Sequence, residues 1–212
     1  MLFRSDAFEI FKLVVFYTRS DDPYNTIVHN LPLFLCSIQL IAIPLAAFAK
    51  GRIKEASLDF VMIFGILGAI AGTIGAIQNY SCYPVISLEN VASGITHTIS
   101  GFASLYIIFS GMASMRLKNI SITCIILLGF CAAASIANQL FDYNYMFLVR
   151  DDGTPYQLIY SLVGGHPIIY PVSVIVLFIV YMALYYSVFY LSVYLSAKKS
   201  ASHSDALAKY TI

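Results

Sequence analysis

The chain has 212 residues, of which 59% are apolar and only 11% charged, and its mean hydropathy is +0.80. A soluble domain carries about 25% charged residues; the shortfall, with long continuous apolar runs, makes this an all-α, polytopic membrane helix bundle and excludes a β-barrel of alternating polarity. The net charge of +1 gives no polybasic surface for nucleic acid, and the length leaves no room for a second domain, so residues 1–212 read as a single integral membrane domain.

The first element is amphipathic. Phe3, Ala7, Phe8, Ile10, Phe11, Val14 and Val15 fall near one helical face, with Ser5, Asp6, Glu9 and Lys12 on another. The acids among its first residues and the lack of a small-residue cleavage site argue against a signal peptide. Residues 1–26 are expected to lie in the membrane interface; the alternative is a sixth, irregular span.

Five segments have roughly the 20 residues that an apolar core about 30 Å thick requires. They cover residues 31–49, 57–78, 91–113, 119–141 and 167–196, followed by a solvated tail over 197–212. In the first, Asn30 reads as an N-cap with Pro32 in the opening turn, so the helix is expected to start near residue 31. The second carries Gly65, Gly68, Gly72 and Gly75, and its GxxxG spacing lets helix backbones approach closely. Packing within the monomer and a homo-oligomer interface both use such a face.

Lys and Arg set the orientation. Lys50, Arg52, Lys54, Arg116, Lys118, Lys198, Lys199 and Lys209 fall on one side, which is expected to be cytoplasmic. Arg4, Lys12 and Arg19 conflict with this unless the N-terminal piece also crosses. Tyr143, Tyr145, Tyr156, Tyr160 and Tyr170 gather at the other end of the spans, and Tyr186, Tyr190 and Tyr194 form a stripe in the last one. They read as aromatic belts, with a row of hydroxyls lining a lipid headgroup cleft as the alternative. The connection 142–166 is too long for a plain linker and is expected to form a lid or re-entrant element; RDDGTP within it marks a turn.

The chemistry-bearing residues lie toward the outer side. Cys36 is expected about 7–8 Å into the first span and His97 about 9 Å into the third. At one depth they can act as nucleophile and base. His29, seven residues from Cys36, is too far along the axis to be the base, and is kept with Gln39, Asn138, Asp142 and Asn144 as a candidate for substrate binding or oxyanion contact. Gln78, Asn79 and His166 border the same side. Cys124 and Cys131 share a face of the fourth span and read as packing residues, and with Cys36 and Cys82 they make no disulfide framework. A zinc site from His29, His97, His166 and Asp142 lacks any pair at helical ligand spacing, and no phosphate-loop, dinucleotide or nucleophile-elbow pattern is present. No metal and no cofactor is expected.

The segments HNLPLFLCS (29–37), ITHTISG (95–101) and NQLFDYNYMFL (138–148) resemble the bacterial YwaF-like integral membrane family, which is related to the vertebrate transmembrane protein 164 group. The resemblance covers about residues 25–190. It implies a multi-pass protein of the bacterial cell membrane. The vertebrate relatives look like cysteine-dependent acyltransferases acting on phospholipids, which casts Cys36 as nucleophile, His97 as base and a phospholipid or lysolipid as partner. The rival reading is a non-enzymatic membrane protein, either a small transporter or a lipid-binding partner subunit.

Overall fold

The computed structural model describes residues 2–74 and 86–208, and among them all regular structure is helical, without strands. Among the described residues eight α-helices follow one another: α1 Leu2–Arg19, α2 Pro23–His29, α3 Gln39–Phe48, α4 Gly51–Ile74, α5 Leu88–Ser110, α6 Ile120–Phe141, α7 Gln157–Leu162 and α8 Ile169–Ala208. Short 3-10 turns at Leu117–Asn119 and Tyr145–Phe147 precede α6 and open the long connection. Among the described residues four stretches are long and apolar enough to cross a membrane: Gly51–Thr73, Asn90–Ser110, Leu117–Phe141 and Ile169–Lys198. The chain divides into two compact units, residues up to 175 and residues from 176 on, the second being the remaining length of α8.

The first expected span departs from expectation. Asn30 does not start a helix; it ends one. Its backbone N–H donates to the Ile27 carbonyl at 3.1 Å and its side-chain amide to the Thr26 carbonyl at 2.9 Å, closing α2. The start signal lies earlier, at Asp22, whose carboxylate accepts from the Asn25 N–H at 3.1 Å just before Pro23. Pro32 then disfavours a helical Leu31 and offers no N–H of its own. The chain turns through residues 31–38 and becomes helical only at Gln39. The ten residues of α3, with Pro44 inside, rise only about 15 Å, half the apolar core.

Non-helical backbone at membrane depth survives only when protein covers it. Here the long connection supplies the cover. Phe34 packs edge-on against Tyr145 at 5.6 Å and lies 5.8 Å from Phe147, and the Tyr145 hydroxyl donates to the Val28 carbonyl.

The hub is α4, which packs on α3, α5 and α6. Its small residues permit this. A Cβ at Gly65 would come within 2.9 Å of the Ser100 carbonyl oxygen, and one at Gly101 within 2.9 Å of the Ala69 side chain. At Gly65, Gly68 and Gly72 the glycine face is therefore filled by this chain's own elements, as a small-residue stripe allows, while Gly75 lies outside the described residues. The pairing of Gly65 with Ser100 and of Gly72 with His97 makes α4 and α5 antiparallel. Ser104 adds a bond from its hydroxyl to the Met62 carbonyl at 2.5 Å.

The remaining spans follow the apolar runs. Ser87 caps α5 by accepting from the Asn90 N–H at 3.1 Å, and Gly111, left-handed at φ 65°, ends it. Asp142, left-handed at φ 50°, ends α6. α1 is a single helix packed on α2, α3 and α5, and it is not among the stretches apolar enough to span. It turns Ile10, Phe11, Val14 and Tyr17 outward and buries Lys12. That is the inverse of a helix on a water-soluble protein, and it suits a lipid-facing surface.

Candidate active site

Cys36 sits in the turn that leads into α3. The Ile38 N–H reaches back to the Phe34 carbonyl at 2.9 Å and the Gln39 N–H to the Cys36 carbonyl at 3.3 Å, so the thiol stands at the mouth of the helix, half-buried. It does not lie inside a span, as the expected helix start had placed it. Its Sγ is 3.9 Å from the Ser37 hydroxyl.

The turn is seated on Gly68 of α4. A Cβ at position 68 would meet the Cys36 Cα at 3.4 Å and its Cβ at 3.5 Å. His97, on the α4-facing stripe of α5 with Ser100 and Ser104, is buried against Gly72. Its imidazole fills the space that any side chain at position 72 would need. Gly68 and Gly72 lie on one face, about 6 Å of helix rise apart. The thiol turn and the imidazole thus occupy successive turns of a single helix face. Both lie far along α4 from Gly51, toward the end of an apolar core about 30 Å thick.

Gln39, three residues after Cys36, is 1% exposed, and both its Oε1 and its Nε2 are buried without a hydrogen-bond partner. An amide in that state is held at a cost of roughly 1–3 kcal/mol for each idle group. Tyr156 comes over the site from the long connection. Burial pushes its phenol up to about 12, and the Cys36 thiol beside it adds to the shift. Its ring lies 5.5 Å from that of Phe147. Tyr170, at the start of α8, is fully buried, and its hydroxyl also has no hydrogen-bond partner. Its ring meets Tyr160 edge-on at 4.9 Å.

The other expected site residues do different work. The Asn138 side chain accepts from the Tyr145 N–H at 2.6 Å and donates to the Tyr145 carbonyl at 3.1 Å. Asn144 accepts from the N–H groups of Val149 and Arg150 and donates to the Arg150 carbonyl and Asp152. Both amides fold the long connection: Asn144 spends both of its N–H donors there and Asn138 one of its two. Asp142 is an exposed helix end. His29 is exposed, its ring against Tyr143 at 4.9 Å. His166 caps α8, its Nδ1 accepting from the Ile168 N–H at 3.3 Å. Among the described residues no three His, Cys, Asp or Glu gather as metal ligands. Cys131 is buried in α6, while Cys82, Gln78 and Asn79 lie outside the described residues.

The family model of the TMEM164 family matches residues 5–186. The chain belongs to the TMEM164 family. The TMEM164 match takes in Cys36, Gln39, Gly68, Gly72, His97, Tyr156 and Tyr170, and stops before the last part of α8. With its four long apolar helices, this TMEM164-family chain is a multi-pass helical membrane protein. No curated protein and no solved structure matches it.

Sequence reasoning did not single out Tyr156, the neighbour of Cys36, or the unpartnered Tyr170, since nothing in the sequence separates them from the other tyrosines of the same cluster. It also missed what Gly68 and Gly72 receive. The signal for that was available: a histidine inside an apolar span needs a facing position with no side chain, and the neighbouring span offers glycines at a four-residue spacing.

Proposed function

We propose that this protein is a membrane lipid acyltransferase or acyl hydrolase working through Cys36 and His97. The observation that supports this reading is the seating of the thiol turn and the imidazole on successive glycines of α4. The His97 imidazole takes the thiol proton, and the thiolate attacks the carbonyl carbon of an acyl ester at the outer interface. Charge develops on the carbonyl oxygen. Gln39, whose buried amide has nothing else to donate to, is the donor for that oxyanion. As the C–O bond breaks, the imidazolium returns its proton to the leaving alcohol. An acyl-thioester stays on Cys36 and passes to a lysolipid or to water.

The motifs around Cys36, His97 and Asn138 further support a YwaF-like member in a bacterial cell membrane. Proton-coupled transport is the weaker alternative, because Asp59, the buried acid of α4, accepts from the Met115 N–H at 3.1 Å and the Asn119 amide at 3.4 Å. A carboxylate holding a loop in place is poorly suited to shuttle protons.

The test exposes the purified protein to phospholipid with a radiolabelled acyl chain and isolates the protein. Label is expected on the wild type and absent from Cys36→Ser. Equal labelling of the two rules out Cys36 as nucleophile. No labelling, with an unchanged lipid profile in cells carrying Cys36→Ser, leaves the non-enzymatic reading.

A further inference from the structure

The Cys36–His97 reading leaves the acceptor of the acyl group open, and the structure holds a second buried polar group, Tyr170, that this chemistry does not use. Tyr170 has no exposed surface, and its hydroxyl has no hydrogen-bond partner. A phenol both donates and accepts, and burying one idle is unfavourable. A ligand hydroxyl would satisfy it in both directions. Tyr156 connects this hydroxyl with the site, being an electrostatic neighbour both of Cys36 and of Tyr170. The surroundings are built rather than incidental. Gly164 and Gly165, both left-handed at φ 61° and 62°, turn the chain between α7 and α8. A Cβ at Gly165 would lie 2.6 Å from the Tyr160 hydroxyl, so the glycine lets that ring stand against Tyr170. Asn138 and Asn144 hold the connection that carries Tyr156. The carboxylates of Asp151 and Asp152 are further electrostatic neighbours of Tyr170. They disfavour a phosphate at this spot and leave a neutral hydroxyl as the fitting group.

We propose that Tyr170, reached from Cys36 past Tyr156, binds the free hydroxyl of a lysoglycerolipid acceptor and thereby directs the acyl group to lipid instead of water. The proposal rests on the Cys36–His97 reading. In the step it serves, the acceptor oxygen attacks the thioester carbonyl carbon and its proton passes to His97. The new C–O bond forms, the C–S bond breaks, and the departing thiolate recovers the proton from the imidazolium. Tyr170 gains and loses no bond; it holds the alcohol in line while its burial keeps bulk water away.

The experiment uses the full chain in lipid nanodiscs, with a phosphatidylcholine radiolabelled in its acyl chain as donor and lysophosphatidylethanolamine as acceptor. Three quantities are read: label on Cys36, the ratio of labelled phospholipid product to free fatty acid, and the apparent KM for the lysolipid. Tyr170→Phe keeps the ring and removes only the hydroxyl. It is expected to label Cys36 as the wild type does, to lower the transfer-to-hydrolysis ratio by about five- to tenfold and to raise the lysolipid KM, the effect of one lost hydrogen bond. A merely structural hydroxyl would leave the ratio and the KM where they were. Normal labelling with an unchanged ratio and KM overturns the acceptor site and leaves the Cys36–His97 reading standing. A wild-type chain that never carries label on Cys36 overturns both.

Discussion

The two ends of α4 handle buried polar groups in opposite ways. Near its start, Glu55 and Asp59 are tied to the α5–α6 connection. Asp59 takes the Met115 N–H and the Asn119 amide, and Glu55 takes Asn119 at 3.2 Å, Ser114 at 3.5 Å and Arg116 at 3.2 Å. The Arg52 guanidinium donates to the Lys118 carbonyl at 2.5 Å. The Asn119 Oδ1 and the Ser57 hydroxyl are idle there, but the Asn119 Nδ2 makes three bonds and both carboxylates are engaged. Toward the other end, where Cys36 and His97 sit on Gly68 and Gly72, Gln39 is idle at both amide atoms, and Tyr170 at the start of α8 is idle at its hydroxyl. A network with its charges engaged fixes structure. A buried amide with no partner at either atom destabilises the protein, and a ligand group is one way to satisfy it. The comparison teaches where to look for function in this bundle: at the end where polar groups wait.

The largest effect expected from this contrast is at the glycines. Gly72→Ala places a methyl inside the His97 ring, so the imidazole must leave its seat; acyl transfer is expected to fall by about 10²–10⁴-fold, the worth of a positioned general base. Gly68→Ala brings its methyl only to 3.4 Å from Cys36, an ordinary contact, and most activity should remain. Equal losses in the two variants, measured as rates per folded protein, would break the link between the α4 face and the site.

Next comes Gln39→Leu. Removing an idle buried amide is expected to stabilise the protein by about 1–2 kcal/mol, while loss of an oxyanion donor slows acyl transfer by about 10²–10³-fold. Thermal unfolding in detergent and initial rates check the two halves. A destabilised variant with full activity would show that the amide belongs to the structural class.

Asp59→Ala should behave the other way round. It strands the Met115 N–H and an Asn119 bond, destabilising the protein by about 2–3 kcal/mol, with label on Cys36 per folded molecule unchanged. A loss of labelling without a loss of stability would place Asp59 in the chemistry.

The smallest effect concerns pH. Tyr145 and Tyr156 are both pushed up to about 12, chiefly by burial, from an ordinary value of 10.0. Their folded values lie above their unfolded ones. The stability they contribute is therefore complete below pH 10 and lost as pH rises through 12. Tyrosinate absorption should show them titrating late, and Tyr156→Phe should remove a late step, not one near pH 10.

The spans over α4, α5, α6 and α8 were legible because continuous apolar runs of sufficient length dictate helices in lipid. The first span was not. Pro32 was read as a helix opener behind Asn30, but Asp22–Pro23 had already opened α2, and Pro32 marks the turn between two helices. The error moved Cys36 from a turn into a span. Depth counted along an ideal helix therefore gives no valid reason for pairing it with His97; the proposed pair rests instead on the glycine face of α4. Asn138 and Asn144 illustrate the opposite limit. Their residue type suits an oxyanion donor, and only their partners in the 143–150 chain reveal that both amides are engaged.

The most direct measurement is the intact mass of the detergent-purified protein after incubation with a defined phospholipid, read together with Cys36→Ser and His97→Ala. The account predicts a single acyl increment, released by hydroxylamine, missing from the serine variant and slow to form in the alanine variant. An increment carried by another side chain, or wild-type protein that never gains one while its lipid is consumed, contradicts it.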